Sequence, residues 1–243
     1  DVIVSIVSYA VGCMFGRYSL DVEGLAFAGG DWDDSKYSLF IPDRDNCIPI
    51  TDEEYLEDDI VGRFVEFVKT AFGSEYLGTN LLYIANVLDK KDTEYPLETI
   101  KRYFLDKFMD DHIKRYKNRP IYWMFQSDKK GKAFNCLVYL HRYHENTVGK
   151  IRQEYLLPYQ ARIQTKLSEL SEELETSTSK GQLQKQIQIL ANKINEIKAY
   201  DENVKYFTEH KVNIDLDDGV AVNYKKLEKI LYKEPKITKS KED

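Results

Sequence analysis

Two apolar stripes constrain the architecture of this chain more than any other feature. Ile163, Leu167, Leu170 and Leu174 recur at steps of three and four, and Leu183, Ile187, Leu190, Ile194 and Ile197 repeat the pattern at heptad-like spacing. Such a stripe lies along one face of an α-helix and is stable in water only when another apolar surface covers it. The polar run Ser177-Thr178-Ser179-Lys180-Gly181 separates the two, so the second stripe can fold back on the first. The pattern predicts a long antiparallel helical hairpin near 147–200, too short and irregular for a fibrous coiled coil. Asn146 or Thr147 caps its first helix. Pro158 marks a kink, because proline has no N–H to continue the ladder. A strut between neighbouring parts of a protein is the simplest use of such a hairpin.

Ahead of residue 146 the period changes repeatedly. The run Val2-Ile3-Val4-Ser5-Ile6-Val7 suits a buried strand or the start of a core helix. Glycines at 12, 16, 24, 29 and 30 punctuate the next stretch of chain, and Asp31-Trp32-Asp33-Asp34-Ser35 reads as an exposed loop. Leu39-Phe40-Ile41 and Ile48-Pro49-Ile50 read as short extended pieces. Thr51 or Asp52 is placed as a helix N-cap, with Glu54 in the capping-box position. Ile60, Phe64, Phe67, Val68 and Phe72 form the buried face of that helix and Gly73 its stop. The acids Glu53, Glu54, Glu57, Asp58 and Asp59 read as its solvated first turn rather than as a metal site.

A second helix is expected from Thr79 to Leu88 and a third from Leu97 to Tyr116. In the third, Ile100, Phe104, Phe108, His112 and Tyr116 fall four apart, and His112 reads as a packed, hydrogen-bonded side chain rather than a ligand. Residues 121–125 and 134–140 are rich in β-formers and predict a β-hairpin near 121–140 with the basic tip Lys129-Lys130-Gly131-Lys132. Near the end, Asp218-Gly219 reads as a tight turn between extended pieces, Tyr224 to Tyr232 as a last helix, and the tail from Lys236 as frayed. The fold class is α+β, mainly helical, in two parts. Residues 1–145 form a mixed α/β recognition-type domain; residues 146–243 form the helical hairpin with a C-terminal strand and helix.

Charge is distributed unevenly. Residues 1–100 carry 7 Lys/Arg against 20 Asp/Glu, residues 101–162 carry 14 against 6, and the remainder 14 against 15, for a net of −6. The whole is not a generic nucleic-acid binder, but a basic middle can steer an anionic partner locally. A solvated surface of mixed helices explains the charge equally well. Cys13, Cys47 and Cys136 are too few and too scattered for a disulfide framework or a zinc site, which suits a reducing cytosol. No stretch reaches membrane-spanning length. A chain opening on Asp1 rather than Met suggests a piece of a longer protein or a removed leader.

The chemistry of common active sites is missing from the sequence. There is no phosphate-binding GxxxxGK[ST], no GxGxxG after a strand, no metal-spaced His or Cys pair with a partner motif, and no Gly-x-Ser-x-Gly elbow. Asp215, Asp217 and Asp218 lack the glutamate that would complete a calcium loop. An amino-methyltransferase needs a glycine-rich cofactor loop and an Asn-Pro-Pro-Tyr-like grip on a flipped adenine; neither is present, and the chain alone is expected to be non-catalytic. What stands out is basic residues among aromatics. Lys114, Arg115, Lys117, Lys129, Lys130, Lys132 and Arg142 are the candidate DNA-binding residues, since cations position a protein on phosphates and a loop can reach base edges.

Several phrases occur together in a familiar order. Tyr9-Ala10-Val11-Gly12-Cys13-Met14-Phe15-Gly16-Arg17-Tyr18-Ser19-Leu20-Asp21 comes first, then Ile48-Pro49-Ile50-Thr51-Asp52-Glu53-Glu54-Tyr55. Arg119-Pro120-Ile121-Tyr122-Trp123, Tyr139-Leu140-His141-Arg142-Tyr143 and Leu216-Asp217-Asp218-Gly219-Val220 come after them. The set resembles the C-terminal region of BREX-type adenine-specific DNA methyltransferases. The resemblance implies a whole enzyme that methylates adenine N6 at one strand of an asymmetric site and marks host DNA in phage defence. It places the S-adenosylmethionine and adenine sites upstream, with no cofactor in this chain. It assigns this region to recognition of double-stranded DNA beside the catalytic half, or to docking onto other BREX proteins. No catalytic residue carries over, because the matching motifs are absent.

Overall fold

The computed structural model describes residues 2–51, 59–177 and 180–238. The opening run is a helix, α1 (Val2–Met14), and not a strand: Ile3, Val7, Ala10, Val11 and Met14 are buried at helical spacing. Its last turn is enclosed. A β-carbon on Gly12 would lie 2.3 Å from the Tyr18 ring, so only glycine lets that ring lie against the helix. Of the two expected extended pieces, only Ile48–Pro49 (β1) joins a sheet. Residues 39–41 instead lie over the next helix, where Phe40 meets Phe67 edge-on at 5.8 Å and Arg63 donates to the Ile41 carbonyl.

That helix, α2, runs Ile60–Phe72. Its cap is Asp59 rather than Thr51: one carboxylate oxygen accepts from the Val61 N–H at 3.0 Å, the other from the Thr51 N–H at 3.1 Å and its hydroxyl at 3.2 Å. The expected cap at Asp52 and the acids at 53, 54, 57 and 58 lie outside the described residues. Gly73 stops the helix at a φ of 87°, and Phe72 is exposed instead of facing the core. α3 (Leu77–Val87) matches the second expected helix.

The third expected helix is two, α4 (Pro96–Asp106) and α5 (Phe108–Arg115), broken at Lys107. Residues four apart drift about 40° per step around a helix, so over 100–116 a straight helix would swing its stripe through about 160°. The break re-aims the second half, and Ile100, Phe104, Phe108 and His112 all stay buried.

The hairpin forms where expected. β2 (Tyr122–Gln126) pairs antiparallel with β3 (Asn135–Tyr139), Met124 opposite Leu137, and β1 adds to the far side of β3 through Ile48 opposite Leu137. Tyr122 meets Phe15 and His112 on one face, while its neighbour Trp123 meets Tyr224 on the other, as alternation along a strand requires. His112 serves the fold: its Nε2 accepts from the N–H groups of Ile121 and Tyr122, both at 3.1 Å.

Burial, aided by Arg115 and Arg17, pushes the His112 imidazole down to about 3. The unfolded chain therefore takes up a proton below pH ~6.5 that the folded chain refuses until about pH 3. Stability supplied by this group is present above pH ~6.5 and is lost as pH falls, by up to about 1.4 kcal/mol per unit. Urea unfolding of the wild type and His112→Gln from pH 4.5 to 7 checks this; equal pH slopes in the two would remove His112 as the cause.

The next helix is continuous from residue 147 to 176: α6 (Thr147–Lys150), a π-helical stretch Ile151–Leu156, and α7 (Leu157–Thr176). The widened turns sit just ahead of Pro158, whose ring would collide with the Glu154 carbonyl in a regular helix. α8 (Lys180–His210) folds back against it and extends ten residues further than the sequence pattern indicates. Arg152 clamps the pair through two bonds to Asp201, at 2.7 and 3.0 Å.

The last segment departs from expectation. After a turn at Leu216–Asp218 and Gly219 (φ 81°), the last expected helix begins four residues early and ends five residues early: α9 spans Val220–Leu227, taking in Val220–Asn223 where the pattern reads as extended and leaving out 228–232. The Asn223 side chain explains the early start, donating back to the carbonyls of Asp215 and Gly219 and so closing the first turn. Residues 230–232 then lie along the open edge of β2: the Gln126 N–H donates to the Ile230 carbonyl at 3.1 Å and the Tyr232 N–H to the Met124 carbonyl at 2.8 Å. Pro235–Thr238 is a short helix, α10, that buries Ile237, so Lys236 is not in a frayed tail. The architecture is mainly helical α+β with a small antiparallel sheet. Its apolar core runs unbroken from α1 to α10 across residue 145.

Candidate nucleic-acid interface

The predicted cations separate into two groups by what surrounds them. Lys114 and Arg115 end α5, where cations complement the helix dipole. Both are exposed, and Arg115 reaches back to the Ser5 hydroxyl at 3.2 Å. The chain then makes two consecutive left-handed residues, Lys117 (φ 51°) and Asn118 (φ 63°), with the Asn118 N–H on the Ile113 carbonyl at 2.9 Å. This turn leaves Lys117 and Arg119 exposed on one wall of a cleft of about 920 Å³. The same cleft is lined by Val220 and Ala221 of α9 and by Lys236 of α10.

The β-hairpin tip is shaped by Asp128. Its carboxylate accepts from the N–H groups of Gly131 and Lys130, at 3.0 and 2.7 Å, which holds it below the usual carboxylate range. The tip does not project freely. Glu196 of α8 accepts from the Ser127 hydroxyl at 2.5 Å and the Ala133 N–H at 2.9 Å. Lys130 is exposed. Lys129 stacks over the Tyr232 ring at 4.9 Å and donates to the Lys233 carbonyl at 3.4 Å. Lys132 is paired with Asp106.

Arg142 lies elsewhere. Its guanidinium donates to the carbonyls of Asp43 at 2.8 Å, Arg44 at 3.0 Å and Phe15 at 3.3 Å, and stacks over Trp32 at 4.5 Å. Burial lowers its pKa, partly offset by the nearby Asp43 carboxylate. It staples the loop before β1 to the end of β3.

Much of the positive excess of 101–162 is likewise spent internally. Arg102 is held by Glu94 with two bonds of 2.8 Å, and Arg152 by Asp201. Lys114, Lys117, Arg119 and Lys130 are exposed and have no carboxylate partner among the described residues. The structure therefore brings Lys117 together with Arg119 and Lys236, two cations that the candidate set leaves out. Lys236 is recruited by the docking of residues 230–237, a tertiary contact with no local signal.

Sequence reading also passes over Arg17. It donates to the Tyr139 hydroxyl at 3.0 Å and stacks on Tyr18 and Tyr139, joining the glycine-rich stretch after α1 to the sheet. Among the described residues, no group of three or more His, Cys, Asp or Glu is placed to hold a metal ion. No helix among them is long and apolar enough to cross a membrane.

No protein-family model matches the chain. Two curated proteins do. One is the adenine-specific methyltransferase PglX of Lacticaseibacillus casei (strain Zhang), 46% identical over 230 residues, or 92% of this chain and 19% of that protein. The other is the adenine-specific methyltransferase BrxX of Escherichia coli O9:H4 (strain HS), 42% identical over 245 residues, or 95% of this chain and 20% of that protein. Over almost all of its length, then, the chain matches one region of the adenine-specific methyltransferases PglX and BrxX, a region that makes up about a fifth of each.

Proposed function

We propose that this chain is a DNA-contacting accessory part, C-terminal to the catalytic domain, of a site-specific adenine-N6 DNA methyltransferase of a bacterial phage-defence system. Methyl transfer from S-adenosylmethionine takes place in the part of the protein that lies outside this chain. The observation that carries the reading is the set of exposed, carboxylate-free cations at the end of α5 and the hairpin tip: Lys114, Lys117, Arg119 and Lys130. Such residues fix a protein on a duplex through its phosphates, without sequence preference of their own.

The test is binding of a labelled duplex across a salt series. Four phosphate contacts give a log–log slope near −3.6, and so about a 150-fold loss of affinity between 50 and 200 mM salt. Changing all four residues to glutamate is expected to abolish binding while the far-UV circular dichroism stays as in the wild type. Wild-type affinity in that variant would refute the assignment.

A second reading, docking onto other proteins of the same defence system, has its own support. The outer half of the α7–α8 hairpin packs chiefly on itself, and Ile189 stands 55% exposed there. Partner capture that survives the four-glutamate change and is lost on Ile189→Glu would favour it.

A further inference from the structure

The cleft between the Tyr116–Arg119 turn and the start of α9 has features that the candidate interface as a whole does not. Three cations line it: Lys117, Arg119 and Lys236. They come from chain segments far apart in sequence, so local composition does not account for their meeting. All three are exposed, and none of their side chains is paired with a carboxylate among the described residues; the Lys236 backbone N–H donates to the Glu234 carboxylate at 3.2 Å. The acid on the lining, Asp218, is already engaged by Lys226 at 3.1 Å. The cleft lining therefore carries three side-chain cations, none of them ion-paired among the described residues.

The start of α9, also on the lining, adds donors. α9 starts at Val220 with no acidic residue in its first turn and no side-chain cap at Gly219. The first N–H groups of such a helix have no intrahelical acceptor. A β-carbon at Gly219 would meet nothing within 4 Å, so the backbone there is open to close approach. Cations supply the attraction, and backbone N–H groups supply directional bonds to oxygen. At about 920 Å³ the cleft has room for a phosphate with the sugars on either side.

We propose that this cleft seats a backbone phosphate of duplex DNA and is the principal anchoring point of the chain on its substrate. Lys117, Arg119 and Lys236 surround the phosphate oxygens, and the first turn of α9 donates to them. The proposal rests on the DNA-contacting role proposed above and sharpens it to one site. A phosphate seat carries no base information, so it fixes position and leaves sequence choice to other groups.

The test compares two triple variants of equal charge change in duplex binding from 50 to 200 mM salt. One is Lys117→Gln, Arg119→Gln, Lys236→Gln; the other, away from the cleft, is Lys69→Gln, Lys185→Gln, Lys198→Gln. The cleft variant is expected to lose about one unit of log–log slope, the amount carried by one phosphate contact, equally on unrelated duplex sequences, and the control no more than a few tenths of a unit. A third variant, Ala221→Glu, places a carboxylate in the first turn of α9, where the helix dipole favours it. It is expected to keep or raise the melting temperature while weakening DNA binding about tenfold. A wild type that binds, with equal slopes in the two triple variants, overturns the phosphate seat and leaves the broader DNA-contacting role standing. A wild type that does not bind at 50 mM salt overturns both.

Discussion

Trp123→Ala is expected to destabilise the protein by about 3–5 kcal/mol, the usual range for removing a fully buried aromatic side chain. Trp123 is 1% exposed on the central pair of strands. Its indole N–H donates to the Pro120 carbonyl at 3.1 Å and its ring meets Tyr224 edge-on at 5.2 Å. The substitution removes packing between the sheet and α9 and strands a carbonyl at the entry to β2. Domains of this kind have about 5–15 kcal/mol of total stability, so the loss is a large fraction of the whole. Urea unfolding measures it as a fall in midpoint at constant slope. A change under about 1 kcal/mol would mean that α9 is not packed on the sheet as described.

The second large effect concerns Arg142, which composition alone places among DNA-binding cations. Arg142→Met keeps the aliphatic stem and its packing but leaves the carbonyls of Phe15, Asp43 and Arg44 without their donor. Hydrogen bonds from a charged group contribute about 1.5–3 kcal/mol each, so a loss of about 3 kcal/mol or more is expected. Lys130→Met, at an exposed turn, is expected to stay within about 0.5 kcal/mol of the wild type. DNA binding should run in the opposite order once folded protein is compared with folded protein: weakened by Lys130→Met, unchanged by Arg142→Met. A stable Arg142→Met protein with weakened DNA binding would show the guanidinium to be a phosphate contact and not a staple.

Arg142 also shows where sequence reading reaches its limit. Periodicity located the helical hairpin, the β-hairpin and α2, because amphipathic spacing is a local property. It gave one helix over 97–116 where there are two, since the bend at Lys107 answers to the curvature of the core. It read Val220–Asn223 as extended because β-branched residues favour strands, and could not foresee Asn223 closing a helical turn on Asp215 and Gly219. The cations obey the same rule. Lys130 sits at a turn, exposed as a turn residue should be. Arg142 looks equivalent in sequence, but its partners are backbone carbonyls of residues 15, 43 and 44, which no local pattern reveals. Half of the cleft is invisible for the same reason: Lys117 and Arg119 are legible as basic residues before Pro120, whereas Lys236 reaches the cleft only because the chain returns to β2.

That return has a consequence for how the molecule is made. β2 is paired on one side by β3, a short hairpin contact, and on the other by residues 230–232, separated from it by about a hundred residues of chain, so closing that loop is entropically slow. During synthesis the hairpin is complete long before its second neighbour leaves the ribosome. Until then, the N–H of Gln126 and the carbonyl of Met124 are an unpaired strand edge flanked by aromatic side chains, open to pairing with another nascent chain. Chains released before residue 232 would keep that edge open and are expected to associate with one another. The segment that closes the sheet also brings Lys236 to the cleft, so an incomplete chain would be sticky and would lack part of its phosphate seat.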